Sequence, residues 1–352
     1  MNKVWFIQML RGIASLSVVY NHIFALFFAN ETTINQFLHV VGYKLPQFAS
    51  GNIFLQLFNI LDQKLYFNPG FVGVYIFFLI SGFVIPISIK NNGIKKFIIS
   101  RGLRIYPVAI AGMSLSIFCI CLFQLLYQNT VPRLDLTFIL SNFTILLRYP
   151  FHQEFIDPVL WTLEIELYFY IALIIIYNMK MMKNIKTIII LITIICISID
   201  GHYSNILKNI MFMFIGTSIF LSYKNQISTI DNIINIIFIF ILFQISWYTT
   251  EKVYFTLIFF TTFYSLIIFI TLYKFRSHIR YSRILDFFGN ISYPMYISHQ
   301  IIGYALLAFL VFYINFYIAI AITFIIIIII IAYIFHIALE KPFKRLAKRL
   351  FN

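Results

Sequence analysis

Residues 10–22 read "LRGIASLSVVYNH", an apolar stretch with an arginine near one end and a histidine at the other. They sit inside a hydrophobic run from about 5 to 28, long enough to cross the hydrocarbon of a bilayer as an α-helix. Ionisable side chains are costly at that depth, so Arg11 and His22 need a protein-lined or wet surrounding. Eleven helical steps of 100° come to about 1100°, some 20° past three turns, so the two side chains share a face. At 1.5 Å per residue they lie roughly 16 Å apart along the axis. The plainer alternative has Arg11 snorkelling to the nearer interface and His22 making one structural hydrogen bond.

The rest of the chain repeats the apolar pattern. Of 352 residues, 61% are hydrophobic and 11% charged, against roughly 25% charged in a soluble globular domain. Hydrophobic runs recur from end to end, and the short alternating segments of a membrane β-barrel are missing. The expected fold is therefore all-α, a polytopic membrane bundle. Ten candidate spans cover about 5–28, 70–89, 105–127, 159–178, 187–200, 206–223, 232–248, 253–273, 289–312 and 316–338. They form one expected transmembrane domain, 1–340, followed by a basic tail, 341–352. The first run carries Arg11 and His22 and no small-x-small cleavage site, so it is read as a retained span rather than a signal peptide. Cys119, Cys121 and Cys196 lie in apolar runs without metal-ligand spacing and read as packing residues; no metal site is expected.

Charge orients the spans. With ten crossings both termini fall on one side, and that side collects 19 of the 26 Lys and Arg residues. They are Lys3, Lys90, Lys95, Lys96, Arg101 and Arg104, the groups at 180–186, 224 and 274–283, and the tail from Lys341 to Arg349. Lys44, Lys64, Arg133, Arg148, Lys208 and Lys252 fall on the other side. The positive-inside rule then makes both termini cytoplasmic. The net charge of +14 is a topology signal, and nucleic acid is not an expected partner. Two outward segments, 29–69 and 128–158, contain the apolar patches "NIFLQLFNIL" and "LTFILSNFTILL", readable as interfacial helices or as lids over an outward cavity.

Further polar groups fall within or beside the spans. "WTLEIELYFY" puts Glu164 and Glu166 at the outer end of the fourth; two steps are 200°, so they cannot share a face. A carboxylate at the depth of His22 could orient the imidazole and stabilise its cation. Trp161 and the tyrosines also fit an interfacial aromatic belt. In "KKFIISRGLRIYP", Arg101 and Arg104 share a helix face, as suits phosphate binding or plain anchoring. Ser81-Gly82-Phe83 precede Pro86, where glycine permits a close backbone approach or a break and proline a kink. "GNISYPMYISH" places His299 within the ninth span, with Pro294 interrupting its ladder.

Together these motifs resemble the membrane acyltransferase-3 family, bacterial transmembrane O-acyltransferases that act on glycans. "RGIASLSVVYNH" is similar to the family's Arg, ten residues, His motif, and "GFVGVYIFFLISGF" to its signature ending in Ser-Gly-Phe. "FIISRGLRIYP" matches Arg-x-x-Arg-Ile-x-Pro, and "WTLEIELYFY" matches a motif that selects Glu166 over Glu164. "GNISYPMYISH" carries Ser292, Tyr293, Tyr296 and His299, and "LEKPF" the terminal Glu-x-Pro with Glu340 and Pro342. Where the family often has two adjacent basic residues, this chain has Ser100-Arg101.

The resemblance implies a bacterial inner-membrane enzyme with no bound cofactor. It would take acetyl-CoA or another acyl-CoA as donor from the cytoplasm and a hydroxyl of an extracytoplasmic glycan as acceptor. O-antigen, capsule, exopolysaccharide or a lipid-linked glycan would serve. His22 and Glu166 are the implied catalytic residues, His22 as general base or transient acyl carrier and Glu166 orienting it. Arg11, Ser81, Gly82, Phe83, Arg101 and Arg104 would hold the donor. Trp161, Tyr293, Tyr296 and His299 would support the reaction, the first three as candidate oxyanion donors. The alternative from another class is a transporter, a flippase or an acyl-group export component.

Overall fold

Short polar residues set where the helices begin. Asn30, Asn52, Asn68, Ser228, Ser282 and Asn315 each accept a backbone N–H of the following first turn through the side chain, satisfying donors that the helix leaves free. Asn68 is followed by Pro69 at the first helical position, where a missing N–H costs nothing. The computed structural model describes residues 4–46, 52–132, 134–182 and 184–351. Lys3, Arg133 and Lys183, which enter the charge asymmetry, lie outside the described residues.

In order, the helices are α1 (Trp5–Ala29), α2 (Glu31–Phe37), α3 (Ile53–Leu65), α4 (Pro69–Lys90) and α5 (Gly93–Gln128). Then come α6 (Leu136–Thr144), α7 (Leu160–Asn178), α8 (Ile185–Ser198), α9 (His202–Tyr223) and α10 (Thr229–Thr250). The last are α11 (Lys252–Lys274), α12 (Arg283–Ser298), α13 (Ile301–Leu310) and α14 (Phe316–Arg349). Among the described residues, eight are long and apolar enough to cross a membrane: α1, α4, α5, α7, α9, α10, α11 and α14. The shorter α8 and α13 are also apolar. The chain is a polytopic helical membrane bundle. Both outward apolar patches fold as helices, α3 and α6, and residues 341–349, expected as a tail, continue α14.

α9 is the hub of the bundle, with 83% of its most apolar stretch buried, whereas α14 buries only 29%. Glycines bring the central helices together. A Cβ on Gly82 would stand 1.9 Å from the Met213 carbonyl oxygen, and one on Gly216 2.3 Å from that of Leu79, so α4 and α9 touch backbone to backbone. Ser81-Gly82-Phe83 is thus a close approach within a continuous helix; between Pro69 and Gln128 the backbone leaves helical geometry at Gly93, with φ 72°.

The ninth expected span is two helices, α12 and α13, and the break comes after Pro294 rather than at it. The Ser298 hydroxyl donates to the Pro294 carbonyl at 2.9 Å, and His299 Nδ1 lies 2.8 Å from the Tyr296 carbonyl. The His299 ring thereby takes the carbonyl that the amide of the next turn would have used, and the Ser298 hydroxyl adds a second bond to that of Pro294.

The basic segments gather at one end of the bundle. Lys96 sits over the Phe351 ring at 5.7 Å, Arg104 reaches Glu340 at 3.9 Å, and Trp5 meets Tyr281 edge-on with centroids 4.6 Å apart. The start of α1, the start of α5 and the end of α14 therefore share that end.

Candidate functional site

Between α1, α4, α5, α7 and α12 lies a cavity of about 310 Å³. Its wall is mostly apolar, with Phe77, Phe78, Val84 and Ile297 among the lining groups, and Arg11, Arg101 and Arg104 stand toward the basic end. Three guanidiniums facing an apolar channel match a ligand with an anionic head and an uncharged arm.

The charges around this cavity do not cancel. Glu166 Oε1 accepts from the Ser81 hydroxyl at 2.9 Å and from the Tyr170 hydroxyl at 2.5 Å. Glu340, 1% exposed, takes His336 Nδ1 at 2.6 Å, Lys344 Nζ at 2.5 Å and Arg104 Nε at 3.9 Å. Arg101 lies over the rings of Phe97 and Tyr170. Arg11 is within electrostatic reach of Arg101, Arg104, Glu166 and Glu340. Among the described residues neither Arg11 nor Arg101 forms an ion pair. Three guanidiniums and Lys344 thus face two carboxylates, which leaves an anion attractor.

Farther from the basic end, beyond the cavity wall at Tyr296, lies a histidine pair. α1 widens into a π-helical turn over Tyr20–Leu26, a local defect that commonly marks functional positions, and His22 sits in it. Its ring meets that of His299 edge to face, with centroids 5.0 Å apart and planes at 79°. His299 is fully buried, and its Nδ1 donates to the Tyr296 carbonyl, so the neutral ring carries its lone pair on Nε2. Both His299 Nε2 and His22 Nδ1 are enclosed and have no hydrogen-bond partner among the described residues. Tyr296 joins this pair to the cavity: its ring lines the cavity and lies 5.6 Å from that of His299. Its hydroxyl shares a 2.8 Å hydrogen bond with Thr162.

The structure brings together Arg11, Ser81, Phe83, Arg101, Arg104, Glu166, Tyr293 and Tyr296 around one cavity, with His22 and His299 beyond Tyr296. Four expectations change. Glu166 does not reach His22; its partners are Ser81 and Tyr170. Thr162 is the α7 residue that bonds the Tyr296 hydroxyl, and Glu166 follows it one turn nearer the basic end, about 6 Å away. Gly82 does not line the cavity, because its face is spent on α9. Trp161 faces away from the cavity's polar groups, with its ring edge against Phe78 at 6.0 Å. Tyr293 lines the cavity, but its hydroxyl donates to the Ile105 carbonyl at 2.7 Å.

Asp157 escaped the sequence reading. It is 2% exposed and lies just outside the membrane-spanning helices. Its carboxylate accepts the Val159 N–H at 3.2 Å, the Ser116 hydroxyl at 3.4 Å, and the Ile301 N–H that begins α13. Burial pushes this carboxyl up to about 7 despite those hydrogen bonds. It pins the first amide beyond the break that carries His299. The only local signal was an Asp-Pro pair ahead of α7, which reads as an ordinary turn.

A family model described as an acyltransferase domain, Acyl_transf_3, matches residues 4–337. No curated protein and no solved structure matches the chain.

Proposed function

The chain belongs to the acyltransferase-3 family and is a membrane acyltransferase, and we propose that it carries an acyl group, acetyl above all, from cytoplasmic acyl-CoA to a hydroxyl of an extracytoplasmic glycan. The observation that carries this reading is a guanidinium-rich cavity whose wall residue Tyr296 packs against His299, which in turn meets His22. The basic end, with both termini, faces the cytoplasm of a bacterial inner membrane in this reading, as the positive-inside rule requires.

The donor's phosphates sit against Arg101, Arg104 and Arg11, and its thioester arm follows the apolar wall toward Tyr296. His22 accepts the proton of the acceptor hydroxyl as its oxygen attacks the thioester carbonyl. The carbon–sulfur bond then breaks, and the CoA thiolate leaves with the proton that His22 held. His299 packs beside His22 and keeps the pocket around it closed to bulk water. Tyr293 and Tyr296 both spend their hydroxyls on protein groups, the Ile105 carbonyl and Thr162, so neither is the oxyanion donor in this reading. Glu166 fixes Ser81 and Tyr170 in the donor wall and balances part of the guanidinium charge.

Purified protein in liposomes with labelled acetyl-CoA, and the cell's own surface glycan as acceptor, tests this. Label should pass to glycan with release of CoA, and His22→Ala should lose that transfer while still binding CoA. Unchanged transfer in His22→Ala would refute the mechanism. Glycan movement across the bilayer without acyl transfer would replace the enzyme with a carrier.

A further inference from the structure

The outward apolar patch that begins at Asn52 folds as α3, which docks where α1 ends and α14 begins, opposite the basic end. Little of α3 is enclosed: Phe58 is its buried side chain, while Ile53, Leu57, Ile60 and Leu65 are exposed. Its two ends hold it to the bundle. At the far end the Leu65 carbonyl accepts the Tyr264 hydroxyl and Asp62 accepts Asn68 Nδ2. The near end falls on the π-helical turn that carries His22. Asn52, 0% exposed, caps α3 by accepting the Phe54 N–H at 2.9 Å, and its Nδ2 donates to the Phe24 carbonyl at 3.0 Å. In return the Tyr20 hydroxyl donates to the Phe54 carbonyl at 3.0 Å. The Phe54 ring packs against Tyr20, Phe24 and Tyr317. Tyr20 and Phe24 stand two residues to either side of His22, so the two bonds bracket it.

A π-helical turn holds one residue more than an α-helical one and is the rarer, costlier geometry. The segment "YNHIFAL", residues 20–26, has no glycine or proline to fix where the extra residue falls. That placement decides where His22 points, because one residue's difference turns a side chain by about 100° around the axis. In the observed register the Phe27 N–H reaches back five residues to the His22 carbonyl, and the imidazole meets His299. A shifted insertion, or a regular α-helix, would draw the Phe24 carbonyl away from a donor that is wholly buried and leave that donor unsatisfied. The contact from α3 therefore favours one register over its neighbours.

We propose that Asn52 is a positioning residue for His22: by bonding the Phe24 carbonyl it fixes the register of the π-helical turn that aims the imidazole at His299. Tyr20 supplies the reciprocal tie. Asn52 does not line the guanidinium-rich cavity and acts through the backbone of α1. The inference rests on His22 as the proton acceptor, and its test separates the two ideas.

Asn52→Ser keeps a side-chain cap for α3 and is too short to reach Phe24. Tyr20→Phe keeps the ring and drops the hydroxyl. Gln56→Ala, at an exposed position of the same helix, is the control. In liposomes with labelled acetyl-CoA and surface glycan, Asn52→Ser should lower kcat about tenfold to a hundredfold, the order that a misplaced catalytic group costs. The KM for acetyl-CoA and the thermal unfolding midpoint should hold. Tyr20→Phe should move kcat the same way, and Gln56→Ala should match the parent. Solid-state NMR of histidine-labelled protein in the same liposomes reads His22 directly, its imidazole nitrogen signals being those lost in His22→Ala. They should shift in Asn52→Ser and stay in place in Gln56→Ala. The positioning role is overturned if kcat and the His22 signals match the parent in both variants. It is equally overturned if kcat falls only in step with a lower unfolding midpoint and a higher KM, or if Gln56→Ala loses as much. Transfer that survives His22→Ala would remove the proposed base, and the His22 signals in Asn52→Ser would then decide the positioning alone. Transfer lost in His22→Ala but normal in Asn52→Ser, with unmoved signals, would remove the positioning and keep the base.

Discussion

Replacing Asp157 by asparagine keeps an oxygen for the Val159 and Ile301 amides and removes the ability to ionise. In the native protein this carboxyl is 2% exposed, forms no ion pair among the described residues, and is raised from 3.8 to about 7. The unfolded chain, with the ordinary value, releases its proton near pH 4. Between pH 4 and 7 the folded state therefore binds more protons than the unfolded state, so stability falls as pH rises across that window. A pKa difference of one between the two states is worth about 1.4 kcal/mol, so the full loss above pH 7 is about 4 kcal/mol. The asparagine of the variant carries no such loss. Thermal unfolding in detergent, followed by intrinsic fluorescence from pH 4.5 to 8, should show the variant gaining on the parent as pH rises. Its advantage should be largest at pH 8 and amount to several degrees. Parallel curves across the whole range would refute the buried, unpaired state assigned to this carboxyl. Asp157→Leu should instead be destabilised at every pH, because the first amide of α13 loses its acceptor.

Gly82→Ala places a methyl 1.9 Å from the Met213 carbonyl and should cost about 3 kcal/mol or prevent assembly. Gly102→Ala, with nothing within 4 Å of the new carbon, should gain about 0.5–1 kcal/mol from helix propensity, both read as thermal unfolding midpoints. Arg101→Ala should raise the KM for acyl-CoA about tenfold, with a smaller change in kcat, since a charge-assisted contact to donor phosphate carries roughly 1.4 kcal/mol. Equal losses in kcat and kcat/KM would move Arg101 from donor binding to the chemical step. Glu340→Gln strands His336, Lys344 and Arg104 around a buried position and should cost about 3–5 kcal/mol in the same unfolding assay.

The fold was legible because hydrocarbon is an unforgiving solvent: apolar runs of fixed length leave few alternatives to spanning helices. The ninth span misled because backbone carbonyls can be taken by nearby side chains. Ser298 and His299 do so, and no periodicity registers it. Arg11 was found through the expense of charge in a membrane, Arg101 and Arg104 through their shared helix face and the family motif, and the three do share one cavity. Pairing Glu166 with His22 failed because residue counts from helix ends ignore how helices are offset along the bundle. Thr162, not Glu166, bonds the tyrosine that packs on His299.

Both histidines ride on departures from regular helix. His22 lies in a π-helical turn of α1, and His299 in the gap between α12 and α13. Irregular backbone at membrane depth leaves amides and carbonyls that lipid cannot satisfy, so it persists only where protein or a polar cavity surrounds it. Here the surrounding groups are specific: Asp157 takes the Ile301 amide, and Ser298 and His299 take the last carbonyls of α12. Two helices on different parts of the chain interrupt themselves where their imidazoles meet, 5.0 Å apart. A packing role for these rings would be served as well by regular helices with aromatic side chains, at less cost in backbone order. The interruptions bring the two imidazoles edge to face beyond Tyr296, at the far wall of the basic cavity, where the proposed transfer needs a proton acceptor.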